Sequence, residues 1–161
     1  MPNTQMDKKT MANKPAYMLD VGEEFEPLEF VVTPELNQQY LYAQEDFHPR
    51  YIWGDEEEPP LVHPGLLLNM SNNTRSPSFY IPAGWAEVHV AEETEFLNPA
   101  RVGKKHLVTW KVAKVFKNVT GKPWHILDIL IVDEDGRQIM RRKMTNTFIS
   151  GSQGKGKKMG S

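Results

Sequence analysis

Histidines and carboxylates are the side chains in this sequence that could do acid/base chemistry, because the 161-residue chain contains no cysteine. A chain without cysteine has no disulfide, no thiolate nucleophile and no thiolate metal ligand. The five histidines lack the His-x-His and His-Glu-x-x-His spacings of metal sites, so no metal and no other cofactor is predicted. The sequence also lacks a glycine-rich phosphate loop and a Gly-x-Ser-x-Gly elbow, which disfavours nucleotide hydrolysis and serine-hydrolase chemistry.

Two segments gather the candidate reactive side chains. Residues 42–51 read Tyr-Ala-Gln-Glu-Asp-Phe-His-Pro-Arg-Tyr and include Asp46, His48 and Tyr51. Residues 60–67 read Pro-Leu-Val-His-Pro-Gly-Leu-Leu and include His63 and Gly65. Acid/base catalysis requires such groups within hydrogen-bond reach of the bond they act on. The elements on either side of the two segments must provide that reach.

A strand and two helices are predicted around these segments. The apolar residues between Phe25 and Val32 predict a strand, and Thr33 with Pro34 then predicts a capped helix over residues 35–44. Residues 46–60 are predicted to form an exposed loop, because their run of four carboxylates repel one another and stay solvated. After Pro64 the apolar run predicts a buried helix from residue 65 to about residue 74.

The second half of the chain predicts an antiparallel meander. Four strand candidates lie at residues 86–91, 107–116, 125–132 and 139–148, separated by turn signals, the tightest being Asp135-Gly136. One very apolar helix can be buried by wrapping a curved antiparallel sheet around it. The predicted fold is therefore α+β, the hot-dog fold, with the apolar helix at its centre.

Residues 42–51 resemble the motif of the MaoC-type acyl-thioester hydratases and dehydratases, in which a Tyr-Ala helix end leads into Asp-x-Asn-Pro-x-His. Residues 60–67 are similar to the segment that opens the central helix in that family. Residues 95–103 and 132–136 resemble the family's later Pro-x-x-x-Gly turn and hairpin, so the likeness covers about residues 25–148.

The resemblance implies roles for individual residues. Asp46 matches the catalytic aspartate, which works with a histidine on water and on the α-proton of a thioester. Gly65 matches the glycine whose amide polarises the thioester carbonyl at the start of the central helix. The chain departs from the motif at two positions, because His48 replaces the asparagine and Tyr51 replaces the catalytic histidine. A tyrosine titrates near 10 and cannot take over the base's role at neutral pH.

Two interpretations of that departure stay open. His48 replaces the missing base and pairs with Asp46, or the chain is a non-catalytic hot-dog subunit that shapes an acyl pocket for an active partner. A third possibility is a thioesterase in which Asp46 or Glu45 activates water. Tyr51, His63 and Gly65 are the candidate substrate-binding residues, although His63 could equally be a local backbone partner. His106 and His125, at strand starts, are expected to be surface or edge residues.

The resemblance implies an acyl-CoA or acyl-carrier-protein thioester as ligand, and a homodimer or a heterodimer with a second hot-dog subunit, joined through a sheet edge. A net charge of −2 argues against nucleic acid. No apolar stretch approaches the roughly 20 residues of a membrane span, and no secretory signal is recognisable, so a cytoplasmic location is expected. The predicted organisation is a flexible segment at residues 1–17, a hot-dog domain at 18–150 and a flexible Gly/Lys tail at 151–161.

Overall fold

The structure, a computed structural model, describes residues 14–151. Of the two segments predicted to be flexible, the structure describes only residues 14–17 of the first and Gly151 of the second. Residues 14–17 pack against the domain: Ala16 is buried, and the ring of Tyr17 stacks on Trp85 with centroids 4.1 Å apart. The packed part of the chain thus begins before residue 18.

Three helices precede most of the sheet. Helix α1 spans Pro34–Gln44, and the Thr33 side chain accepts a hydrogen bond from the Leu36 amide, which confirms the predicted cap. Helix α2, Pro49–Ile52, lies in the segment predicted to be a loop; Pro49 occupies its first turn, where a missing N–H is tolerated. Helix α3, Pro64–Met70, is the predicted apolar helix, but it ends earlier than predicted and a 3₁₀ turn at Asn73–Arg75 follows.

Five antiparallel strands form one sheet in the order β1-β3-β4-β5-β2. All four predicted strands are present, each longer than the apolar run that signalled it, but the predicted meander holds only for β3, β4 and β5, because β2 pairs with β5 and not with β3. The tight turn at Gly136 has the positive φ of 78° that favours glycine. The strand bounds are β1 Leu28–Val31, β2 Trp85–Phe96, β3 Lys105–Lys117, β4 Pro123–Asp133 and β5 Gln138–Ser150.

The sheet is curled, and α3 lies against its inner face. Register shifts interrupt β2, β3 and the β4–β5 pair, and such bulges bend a strand and increase its twist. Leu66 and Leu67 of α3 belong to one buried core with Trp110, Ile129 and Met140 from three strands. The α+β architecture with a curved sheet around an apolar helix is therefore as predicted.

Two side chains from the sheet fix the end of α3. The buried Trp110 donates its indole N–H to the Ser71 carbonyl oxygen at 2.7 Å. The buried Arg142 guanidinium donates to the Leu68 carbonyl and the Ser71 hydroxyl, both at 2.9 Å, and it pairs with Glu92 of β2. A helix end has carbonyls without helical partners, and these donors satisfy two of them.

The outer face of the sheet carries a cross-strand row of alternating charges. In register across the sheet, Glu93, Lys143, Asp128, Lys111 and Glu24 follow one another. Opposite charges on neighbouring strands stabilise a sheet modestly, and charged side chains keep a face solvated. The apolar residues therefore lie on the other face, against α3.

The prediction for two histidines is wrong. His106 and His125 are 1% and 2% exposed, because both lie at inward positions of their strands. His106 stacks on Phe30, and His125 contacts the ring of Phe148.

Among the described residues, no helix has the length and apolar character needed to cross a bilayer.

Candidate active site

Asp46 lies just beyond the end of α1. Glu45 caps the helix in the left-handed conformation, with φ of 54°, and the Asp46 amide donates to the Leu41 carbonyl. A non-glycine residue in this region is uncommon and marks a sharply specified turn. The Asp46 side chain is half-buried, and its Oδ1 atom accepts a hydrogen bond from the His48 amide at 3.3 Å.

The second carboxylate oxygen of Asp46 contacts a histidine from the other candidate segment. His63 Nε2 lies 3.1 Å from Asp46 Oδ2. His63 also caps α3, with Nδ1 accepting a hydrogen bond from the Gly65 amide at 3.0 Å. Because Nδ1 accepts, the neutral ring carries its proton on Nε2 and donates it to Asp46. The structure therefore contains an Asp46–His63 pair.

Two tyrosine rings pack on the imidazole of His63. The ring centroids of Tyr51 and Tyr40 lie 5.1 and 5.3 Å from that of His63. Burial, and secondly the negative charge of Asp46, raise the pKa of Tyr51 above its ordinary 10.0. The Tyr51 phenol therefore remains protonated at neutral pH and can act only as a neutral hydrogen-bonding group there.

His48 does not pair with Asp46 through its ring. It caps α2, its Nδ1 accepting from the Arg50 amide at 3.2 Å, and it is exposed. Only the backbone N–H of His48 contacts the Asp46 carboxylate. The sequence suggested that the side chains of Asp46 and His48 pair, but the structure does not pair them. The His48 imidazole instead caps α2, whose first turn begins with Pro49.

The Gly65 amide is also engaged. Its N–H donates to His63 Nδ1, so it does not point unpaired toward a ligand as the resemblance implies. A Cβ at this position would lie 2.5 Å from the Tyr40 hydroxyl oxygen, so a larger residue would displace the Tyr40 side chain. Gly65 therefore permits the close approach of Tyr40 to the start of α3.

Asn37 is a residue of the site that the sequence analysis missed. It is 1% exposed on α1, and its amide donates to the Tyr51 and Leu61 carbonyl oxygens at 3.1 and 3.0 Å. Its Oδ1 atom accepts from the His63 amide at 3.1 Å. The available signal was a polar side chain in a helix interior, which competes with the helix unless it bonds elsewhere.

An apolar cavity of about 230 Å³ lies beside this cluster. Tyr51 is part of both the cluster and the cavity wall, and Pro64 and Leu67 of α3 form the adjoining wall. Leu61, Phe96 and Pro99 add to the apolar lining, which includes Tyr51 but neither Asp46 nor His63. A larger groove of about 660 Å³ crosses the sheet among charged side chains and includes none of the Asp46, His63 or Tyr51 side chains.

Within residues 14–151, no group of three His, Cys, Asp or Glu side chains converges closely enough to hold a metal ion. The site consists of a carboxylate, an imidazole and two phenols next to an apolar cavity. Such an arrangement can move a proton and bind an apolar ligand with few polar contacts.

Neither a protein-family model nor a curated protein matches the sequence. Solved structures do match the fold. The truncated HadBC (3R-hydroxyacyl-ACP dehydratase) complex of Mycobacterium tuberculosis has a TM-score of 0.65 and 19% identity, covering 80% of this chain and 98% of that chain. The (R)-hydratase of A. caviae involved in PHA biosynthesis has a TM-score of 0.64 and 17% identity, covering 80% and 96%.

A thioesterase superfamily member from Thermus thermophilus also matches, with a TM-score of 0.57 and 16% identity, covering 83% of this chain and 86% of that chain. Identities this low establish the architecture alone. The chain has the hot-dog fold, and its structural neighbours include (R)-hydratases and thioesterases of that fold.

Proposed function

We propose that this protein acts on acyl thioesters, as a hydratase of 2-enoyl thioesters or as a subunit of one. The observation that carries the proposal is the 3.1 Å contact between His63 Nε2 and Asp46 Oδ2, next to an apolar cavity whose wall includes Tyr51. Hydratases and dehydratases among the structural neighbours support the same class of chemistry. Fold alone does not select a reaction, so the site residues must.

Asp46 is the general base in this proposal. Both nitrogens of His63 are engaged, since Nδ1 accepts from Gly65 and Nε2 donates to Asp46. The imidazole therefore has no free lone pair for a water proton, whereas the half-exposed carboxylate does. His63 holds the carboxylate in place through its N–H. In this assignment the histidine partner of Asp46 is His63 and not His48.

In this proposal the Tyr51 phenol donates a hydrogen bond to the thioester carbonyl oxygen. The amide assigned to that role by resemblance, that of Gly65, already donates to His63. Tyr51 is a cavity-lining phenol that stays protonated, because burial and Asp46 raise its pKa. A hydrogen bond from a neutral phenol stabilises the enolate oxygen that develops when water adds to the β-carbon.

One carboxylate, that of Asp46, accounts for both proton transfers. Asp46 takes a proton from water as the water oxygen bonds to the β-carbon of the enoyl thioester. The electron pair of the double bond moves onto the α-carbon and the carbonyl oxygen. Asp46 then returns its proton to the α-carbon, so that one water has been added and the carboxylate is restored.

The apolar cavity, whose wall includes Leu67 and Phe96, is the proposed site of the acyl chain. A short-chain 2-enoyl-CoA is the first substrate to test, with the corresponding carrier-protein thioester as the second.

The test is whether the purified protein hydrates crotonyl-CoA, which is measured as the loss of enoyl absorbance. Hydration above the rate in buffer supports the proposal, and its loss on Asp46→Asn ties the reaction to the site. A folded protein that binds neither this thioester nor its longer homologues would overturn it.

Two alternative functions predict different outcomes in this assay. A thioesterase would use Asp46 or Glu45 to activate water against the carbonyl carbon, and would release free thiol. This alternative has a thioesterase superfamily member among the structural neighbours. A non-catalytic subunit would bind the acyl-CoA without turnover; the replacement of the motif histidine by Tyr51 favours it. A thiol reagent and a binding titration separate the two from hydration.

A dimer through β2 is the proposed assembly. Strand β2 is an edge of the sheet, pairs only with β5 within the described chain, and exposes Val88, Val90 and Phe96. A long sheet edge that exposes apolar side chains is a template for strand pairing with a second hot-dog subunit. Val88→Lys combined with Val90→Lys should shift a dimer toward monomer in light scattering, whereas a monomeric wild type would overturn this assignment.

A further inference from the structure

We infer that Asn37 is a positioning residue that fixes His63 and Tyr51 relative to Asp46, an inference that rests on the proposed function of the same site. Asn37 lies on α1, the helix whose end presents Asp46. Its side chain bonds to the backbone of both other segments that supply the site. Three elements are thus joined through one buried amide.

Each of the three hydrogen bonds has a separate consequence. The bond from Asn37 to the Tyr51 carbonyl, 3.1 Å, holds α2 against α1. The bond to the Leu61 carbonyl, 3.0 Å, holds the chain that leads to α3. The bond from the His63 amide, 3.1 Å, fixes the residue that caps α3 and contacts Asp46. Without the third bond, His63 keeps the contacts of its ring and the hydrogen bond that its carbonyl accepts from the Leu66 amide of α3.

The amide group matches these partners fully. Two backbone carbonyls need donors and one backbone N–H needs an acceptor, and an asparagine side chain supplies two donors and an acceptor. Asn37 is 1% exposed, so water does not replace a missing partner there. Aspartate keeps the acceptor for His63 but has no donors for Tyr51 and Leu61.

Misplacement of a reacting group by about 1 Å can cost about 100-fold in rate, even when the substitution lies outside the reacting atoms. We expect Asn37→Ala to lower kcat by about 10- to 100-fold with a smaller change in KM. Asn37→Asp, which keeps the His63 bond only, is expected to fall between wild type and Asn37→Ala. The matched control is Asn73→Ala, because Asn73 is 2% exposed and bonds Glu87 away from His63.

The second readout does not require turnover. Nitrogen NMR of His63 in the wild type should report the tautomer protonated on Nε2, as its two hydrogen bonds require. In Asn37→Ala the signals should move toward the mixed tautomers of a free histidine while the strand amides keep their dispersion. In Asn73→Ala the His63 signals should remain those of the wild type.

Folded Asn37→Ala and Asn37→Asp proteins with wild-type His63 signals would overturn the inference, whatever their rates. If Asn37→Ala does not fold, Asn37→Ser and Asn37→Asp carry the same comparison. A wild-type protein that neither binds nor hydrates a thioester, but whose His63 tautomer depends on Asn37, would overturn the proposed function and leave the positioning role standing.

Discussion

His63 Nε2 donates to Asp46 Oδ2 at 3.1 Å across 17 residues of sequence, while the nearer imidazole of His48 caps a short helix instead. The contact joins the two segments that carry the candidate chemistry. It depends on the left-handed turn at Glu45, which ends α1, and on the cap that His63 makes for α3. The Asp46–His63 pair is therefore a product of tertiary structure.

The Tyr51 phenol gives a direct test of the electrostatics. Asp46→Asn removes the second cause of its raised pKa, so the pKa should fall. It should stay above 10.0, because burial, the larger cause, remains. Carbon NMR of the tyrosine Cζ signals over an alkaline titration measures the change. Asp128→Asn, on the outer face of the sheet, is the control; an unchanged pKa of Tyr51 in Asp46→Asn would contradict the assigned effect of the Asp46 charge.

His106 should make the fold sensitive to acid. Burial lowers its pKa below the ordinary 6.5, although the Asp133 carboxylate opposes that effect. Above 6.5 both folded and unfolded chains carry a neutral ring, so His106 adds no pH dependence. Below 6.5 the unfolded chain binds the proton more readily, so the free energy of unfolding falls until the pH reaches the folded pKa.

His106→Phe removes the titrating ring and should therefore flatten the loss of stability between about pH 7 and about pH 5. Phenylalanine is chosen because His106 stacks on Phe30, and another aromatic side chain can retain that contact. Urea unfolding at several pH values measures the slope. The exposed His89→Phe serves as the control and should keep the wild-type slope. An equal slope in His106→Phe would show that other groups cause the acid sensitivity.

Arg142 should contribute strongly to stability. Its guanidinium is 4% exposed, pairs with Glu92 and donates to α3 at the Leu68 carbonyl. Arg142→Met removes these charge-assisted hydrogen bonds, and because the Glu92 side chain is 34% exposed we expect a loss of about 1.5 to 3 kcal/mol, less than for a fully buried pair. Urea unfolding measures the loss. Arg141→Met, on the solvated face, should change the free energy of unfolding by at most about 0.5 kcal/mol; equal effects would contradict the buried role.

The fold could be predicted from local patterns. Alternation marked the four long strands, and Thr33 with Pro34 marked the start of α1, because caps and strand periodicity depend on neighbouring residues. The pairing of β2 with β5 was not predicted, because it joins strands that are distant in sequence. Helix α2 was missed because four residues give no periodicity. The early end of α3 was missed because its carbonyls bond to Trp110 and Arg142, which are distant in sequence.

The site could be predicted only in part. Asp46, Tyr51 and His63 do lie together, but the histidine that contacts the carboxylate is not the one nearest in sequence. Sequence spacing gives no information on whether an imidazole caps a helix, as His48 does. It likewise gave no reason to expect that the Gly65 amide is used internally, or that Asn37 joins the segments.

The most direct measurement compares crotonyl-CoA hydration by Asp46→Asn, His63→Gln and His48→Ala proteins of confirmed fold. Asp46→Asn removes the acid/base group, and His63→Gln removes the group that orients it. Each should lower the hydration rate by at least about 100-fold relative to wild type. His48→Ala should remain within a few-fold of wild type, because its ring only caps α2. Full activity in His63→Gln together with an inactive His48→Ala would contradict the account.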